Sequence, residues 1–284
     1  MKFSQRLVIL GLVLLFLIPQ FGIGQTNKKA VQKSIDKRAK KYEQIAKSIW
    51  NFAEVGYQEE KSSGLLKKTL SDEGFSIKSG VAKIPTAFVA EYGSGQPVIG
   101  ILAEFDALPG ISQEVATQRQ PIENQGAGHA CGHHLFGTAS TAAAIAVKDY
   151  LKKTGQKGTI RLYGTPAEEG GSGKVYMVRA GLFDDVDVVL HWHAGDRNTA
   201  SPSTSMANRS AKFRFHGYSA HAAGAPEKGH LSLGGGEHMK HIVNVMREHI
   251  PYGSRIHYVI TRGGNASNVV PDYAEVFYYV RDFN

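Results

Sequence analysis

Val98-Ile-Gly-Ile-Leu-Ala-Glu-Phe105, with Asp106 directly behind it, is the stretch on which the fold turns. Only Glu104 interrupts it with a charge. So short and so continuously apolar a run lacks the alternation of a half-solvated strand, and marks one covered on both faces. Working outward, residues 86–92 form a second β-type run just upstream. Downstream, an alanine-rich segment predicts a helix over 134–153, closed by Gly155. A strand over 159–163, a helix near 174–180 and a strand over 186–192 follow. Strands alternating with helices predict a layered α/β domain with a largely parallel sheet.

Towards the N-terminus, Val31, Ile35, Tyr42, Ile45, Ile49 and Phe52 recur at helical spacing. They predict one amphipathic helix over 30–54 with a lysine-rich outer face. Leu65, Leu66, Thr69 and Leu70 predict another, ended by Gly74. A Ser-, Thr- and Pro-rich loop over 200–206 marks a boundary. Beyond it the order is strand (211–216), helix (237–249), strand (255–261), strand (273–281). This β-α-β-β order is the first part of a ferredoxin-like unit. The domains expected are therefore 25–205 and 206–284.

Composition narrows the function classes. The net charge is +8, but residues 1–48 hold ten Lys or Arg against Asp36 and Glu43, so the whole excess lies there. The remainder is neutral on balance, which argues against a nucleic-acid partner, since that needs a basic face on the folded domain. Lys2 and Arg6 precede an apolar run over 7–18, and Gly22 and Gly24 follow. The run is too short to span a bilayer of about 30 Å. Residues 1–24 are therefore expected to be a signal peptide cleaved near Gly24, giving an exported, periplasmic or secreted protein with no stable membrane anchor.

The one cysteine, Cys131, stands in Gly128-His-Ala-Cys-Gly-His-His134. Thiolate and imidazole are zinc-type ligands, and Cys131-x-His133 places two on a single turn entering a helix. The helix N-terminus and a cation are both expected to lower the thiol pKa. A cysteine nucleophile with a histidine base stays open beside the metal reading. Glu168-Glu169 follows the strand over 159–163 through Thr165-Pro-Ala167. In an extended segment the two carboxylates point oppositely, one towards a metal and one towards a water as general base. His191 and His193 share a face of a strand expected to be buried, with His193 the expected ligand and His191 packing behind it. Asp106 fits the carboxylate that orients a metal-binding imidazole, or a simple turn.

Five segments in order resemble the aminoacylase and carboxypeptidase family of metallopeptidases, in its aminobenzoyl-glutamate hydrolase-like branch. They are Asp106-Ala-Leu-Pro109, His129-Ala-Cys-Gly-His133, Pro166-Ala-Glu-Glu-Gly-Gly171, Ala220-His-Ala-Ala223 and Asn268-Val-Val-Pro-Asp272. The resemblance implies a zinc-exopeptidase-like layered α/β catalytic domain with an inserted ferredoxin-like α+β dimerisation domain, and a homodimer through it. It implies two divalent ions, zinc or manganese, bridged by Cys131 and held on one flank by His133, Glu169 and His193. Glu168 matches the general base. His221 matches a residue that stabilises the oxyanion in a neighbouring active site. Asn268 and Arg281 match substrate contacts, the guanidinium suiting a carboxylate. From the residues alone, Asn268 and Arg281 serve equally to cap and pair within the small domain.

The activity this implies is hydrolysis of an N-acyl or aminobenzoyl amino acid, or a similar small amide. The chain is expected to stop before a last histidine ligand and before the small domain closes, so an inactive remnant or a non-catalytic binding fragment is the alternative. Where relatives begin a helix, this chain has Gly234-Gly-Gly236. The three glycines predict a late or weakened start, at about 1 kcal/mol each against Ala.

Overall fold

The computed structural model describes residues 20–200 and 204–283, with side chains from residue 27 onward. The expected leader falls largely outside the described residues. The first helix, α1 (Gln20–Asp36), runs through Gly24. No described helix is long and apolar enough to cross a membrane. The chain divides after Asp196 into two compact units.

In the first unit the single helix expected over 30–54 is two: α1 and α2 (Ala39–Phe52). The break falls at Arg38, whose backbone is not helical and whose guanidinium turns inward. It reaches Asp149 at 2.8 Å and Glu73 at 3.2 Å. Hydrophobic periodicity carries straight across this joint, because both helices bury the same kind of face. Tyr42, Ile45 and Ile49 of α2 pack into the main core with Leu66 and Leu70 of α3 (Glu60–Asp72).

The sheet is built from β1 (Ser76–Ser79), β2 (Phe88–Ser94) and β3 (Val98–Ala103). After a long excursion pinned by the two-residue ladder of β4 (Leu108–Pro109) and β5 (Ala127–Gly128) comes α4 (His133–Thr154), closed by Gly155 in the left-handed region. Then follow β6 (Gly158–Gly164), α5 (Gly173–Arg179) and β7 (Val188–Leu190). The strand order is β1-β2-β6-β3-β7. Only β6-β3-β7 is parallel, whereas β1/β2 and β2/β6 are antiparallel. The largely parallel sheet expected is thus a mixed one. Short connections reverse the chain between β1, β2 and β3, and only the crossovers through α4 and α5 leave room for parallel neighbours.

Val98, Ile101 and Ala103 are buried at the sheet centre, as their apolar run predicts. β7 corrects the expectation of a buried strand. It lies at the sheet edge with Val188, Val189 and Leu190 all exposed. Apolar composition reports what a strand is able to bury, not whether a neighbour is present to bury it.

The second unit is a three-stranded antiparallel sheet, β8 (Ala207–His216), β10 (Tyr273–Asp282) and β9 (Arg255–Arg262) in that order, carrying α6 (Ser232–Met246). Ile256, Val276 and Tyr278 form its core, with Phe215, Met239 and Val243 packed on them. The helix does not start late. It begins at Ser232, whose hydroxyl donates to the Pro271 carbonyl at 2.8 Å, and it runs through all three glycines. A side chain at Gly235 would meet the Phe215 ring at 2.7 Å. The missing Cβ is what lets α6 lie close on the sheet, so packing outweighs the propensity cost.

Candidate metal centre

Three strand ends converge. β3 delivers Glu104 and Asp106, β6 leads to Glu168 and Glu169, and β7 leads to His191 and His193. The turn into α4 adds Cys131 and His133. Ligand atoms of Cys131, His133 and His193 all lie within 4.8 Å of one another, and so do those of His133, Glu168 and Glu169. The expected thiolate, imidazoles and carboxylates therefore meet, and His133 is common to both groups.

His133 is fully buried. Its Nδ1 faces two acceptors, Asp106 Oδ1 at 2.9 Å and the Asp106 carbonyl at 3.1 Å, so Nδ1 carries the proton. Nε2 is buried without a hydrogen-bond partner, 3.2 Å from Glu104 Oε2. It stands 3.7 Å from Glu168 Oε2 and 4.0 Å from Glu169 Oε1. An imidazole nitrogen with no hydrogen bond, among a thiol, a second imidazole and two carboxylates, belongs to a donor set that fits divalent cations. The second oxygen of Asp106 accepts the Glu169 backbone N–H at 2.9 Å, so one carboxylate orients both the ring and the loop.

The two glutamates correct their expected geometry. Residues Glu168–Gly171 form a turn rather than an extended segment, because Ala167 is in the left-handed region. Both carboxylates accordingly face His133. They differ in exposure, Glu168 being 38% exposed and Glu169 19%, which leaves Glu168 the one open to water. The turn is held by Glu59, a fully buried carboxylate that accepts the Ala167 N–H at 2.8 Å and the Thr86 hydroxyl at 2.9 Å.

His193 Nε2 is 3.3 Å from Cys131 Sγ. His191 Nε2 instead meets Glu104 Oε1 at 2.9 Å, and Lys174 Nζ pairs with the same oxygen. Glu104 reads in the sequence as part of an apolar strand and is not among the expected site residues. Its one signal is a lone charge inside a run otherwise fit for burial. Glu59 carries no local signal at all.

Without a cation, the electrostatics act against the thiolate. Burial, then Glu169, Glu168 and Glu104, push the Cys131 thiol up to about 12 in the metal-free protein. A helix N-terminus does not offset burial and three carboxylates, which act against the thiolate while no cation is bound. Burial opposes protonation of His133, but Asp106, Glu104 and Glu169 outweigh it and raise its pKa. Burial likewise opposes ionisation of Glu104, yet His191 and Lys174 hold its carboxyl down to about 2. Burial raises Glu169, with His133 partly offsetting it.

The other three expected residues lie on the second unit. His221 bridges to Val269, and the Ala222 N–H donates to the Asn268 carbonyl at 3.0 Å, so His221 and Asn268 sit on adjoining segments. His221 Nδ1 accepts the backbone N–H of Gly224 at 3.0 Å and of Ala223 at 3.2 Å, which leaves Nε2 as its free nitrogen for chemistry. Arg281 lies on β10 with its guanidinium 5.6 Å from the Tyr279 ring.

Comparison with known proteins gives the family and the fold. The model of peptidase family M20/M25/M40 matches residues 100–269. One of the p-aminobenzoyl-glutamate hydrolase polypeptides of Escherichia coli is 45% identical over 260 residues, which cover 88% of this chain and 53% of that protein. The human Xaa-Arg dipeptidase is 30% identical, over 87% of this chain and 56% of its own. The chain thus spans about half the length of the curated relatives it matches. Among solved structures, an aminobenzoyl-glutamate utilization protein from Klebsiella pneumoniae superposes with a TM-score of 0.59 at 21% identity, over 88% of this chain and 69% of that one. A dinuclear metal-binding peptidase of Bacillus subtilis gives 0.56 at 20% identity, over 90% and 66%.

Proposed function

Starting from a chain that belongs to peptidase family M20/M25/M40, we propose that it carries the metal centre of an amidohydrolase cleaving an N-acyl or aminobenzoyl amino acid, or a similar small amide. The observation that carries the reading is the buried Nε2 of His133, without a hydrogen-bond partner and facing Glu168 and Glu169, with Cys131 and His193 gathered at the same ring. Cys131, His133, Glu169 and His193 are the ligands of two divalent cations. The thiol favours zinc on its side, and the carboxylates also admit manganese. When bound, such ions lower the pKa of water and polarise an amide carbonyl.

The protein's own groups divide the remaining work. Glu168, the more exposed carboxylate, takes a proton from the attacking water and returns it to the leaving amine. Asp106 keeps the proton of His133 on Nδ1. His221 offers Nε2 to the developing oxyanion in the active site of a neighbouring copy, and Asn268 and Arg281 are the substrate contacts, the guanidinium suiting a free carboxylate. The 45% identity to a hydrolase of p-aminobenzoyl-glutamate supports that class of amide. The small unit pairs two copies, and residues 1–24 direct export with cleavage near Gly24.

The test is metal content and turnover together. The reading expects up to two equivalents of zinc or manganese per chain. It also expects hydrolysis of p-aminobenzoyl-glutamate or an N-acyl amino acid that EDTA abolishes. Turnover that survives EDTA but not iodoacetamide would establish a cysteine hydrolase instead.

A further inference from the structure

One carboxylate touches what all three strand ends deliver. Glu104 stands just past β3 with its side chain 1% exposed. Its Oε1 accepts from Lys174 Nζ and from His191 Nε2 at 2.9 Å. Lys174 lies on α5, directly after the Glu168–Glu169 turn, and His191 directly follows β7. Its Oε2 makes no hydrogen bond. That oxygen lies 3.2 Å from Nε2 of His133 and 4.0 Å from Nε2 of His193. From the other side α4 presses on the Glu104 backbone. A side chain on Gly137 would meet the Glu104 carbonyl oxygen at 2.7 Å, so the position of Glu104 is fixed by main-chain packing.

A buried carboxylate is costly unless it is paired on every side. An ion pair that merely joined strands would turn both oxygens onto donors. Here one oxygen is clamped by a lysine and a histidine, and the other, with no hydrogen bond, is aimed at the two imidazole nitrogens that the metal-centre reading gives to cations. We propose that Glu104 is a positioning residue for the metal centre. Its clamped oxygen fixes the His191-Trp192-His193 segment through His191, while Lys174 offsets part of the carboxylate's negative charge. Its second oxygen sets negative charge beside Nε2 of His133 and His193, so that a divalent cation is held more tightly. The inference rests on the metal-centre reading and goes beyond its ligand set.

The experiment compares the metal-free chain and its variants by thermal melting and by zinc competition with a chromogenic chelator. Glu104→Gln keeps an acceptor for Lys174 and His191 but removes the charge. It is expected to melt close to the parent and to bind zinc about 10–100-fold more weakly, the range for groups that support metal ligands. Glu104→Asp restores part of the loss. Lys174→Met removes the cation opposite the site and is expected to tighten zinc binding at least threefold. A purely structural role predicts the opposite sign for Lys174→Met, with weaker binding in step with lost stability. If the parent binds no zinc, the metal centre itself is refuted. If the parent binds zinc and Glu104→Gln matches it, this inference alone fails. Should Glu104→Gln not fold, unchanged affinity in Lys174→Met overturns the inference by itself.

Discussion

Asp106→Asn separates holding the fold from holding the metal. The Asp106 side chain is fully buried and only accepts, taking the His133 Nδ1 proton at 2.9 Å and the Glu169 N–H at 2.9 Å. An amide of the same shape keeps one acceptor and puts two N–H donors in place of the other. Turned towards Glu169, those donors orphan a buried backbone N–H. Turned towards His133, they oppose a donor unless the ring moves its proton to Nε2, which removes the lone pair meant for metal. One buried unsatisfied partner costs about 1–3 kcal/mol. The Asp106 carbonyl, 3.1 Å from Nδ1, remains as a second acceptor, so the loss in metal-free stability belongs in the lower half of that range. Metal affinity should fall further, about 10–100-fold, equivalent to roughly 1.4–2.7 kcal/mol. Urea denaturation of the metal-free chain reads the first quantity and zinc competition the second. A variant that loses stability yet binds zinc within twofold of the parent would refute the orienting role of Asp106.

Two further outcomes follow from the electrostatics. With Cys131 held up to about 12 against an ordinary thiol near 8.5, its thiolate fraction at pH 8 is about a thousandfold lower. Iodoacetamide should therefore label the metal-free folded chain at least about 100-fold more slowly than the chain in denaturant. Equal rates would restore the nucleophile reading. On the far side of the domain, burial opposes ionisation of Asp149, but Ser34, Lys148 and Arg38 hold it down to about 2. A lowered carboxyl pKa stabilises the fold above the ordinary value near 3.9, and this is lost as pH falls through about 2. Asp149→Asn should then cost about 1 kcal/mol at pH 7, a figure kept small by solvent screening, and nothing near pH 2. A difference from the parent that persists unchanged into acid would show that the ion pairs around Arg38 are not its source.

Much of the molecule is legible from residues alone, and the reasons are local. The apolar run from Val98, the helix closed by Gly155 and the Cys131-x-His133 turn each carry their signal within one element. The joint at Arg38 is not legible, since the helical period is the same on both sides and only Glu73 and Asp149, distant in sequence, draw the guanidinium inward. The start of α6 misleads for a related reason. Glycine is a poor helix former in isolation, but the Phe215 ring beneath Gly235 leaves no room for anything larger. Glu104 escapes notice because a charge inside an apolar strand gains meaning only when Lys174 and His191 are placed beside it.

The sequence by itself determined which groups are available for chemistry and the order in which strands and helices bring them forward, because periodicity, caps and ligand types are written into neighbouring residues. Only the tertiary structure decided which nitrogen of His133 faces Asp106 and which faces the glutamates, that both glutamates turn the same way, and that burial and three carboxylates push the thiol up. Each of those depends on burial and on charges contributed by chain segments far apart in sequence. Coulombic and desolvation energies follow distance in space, and no local pattern encodes that distance.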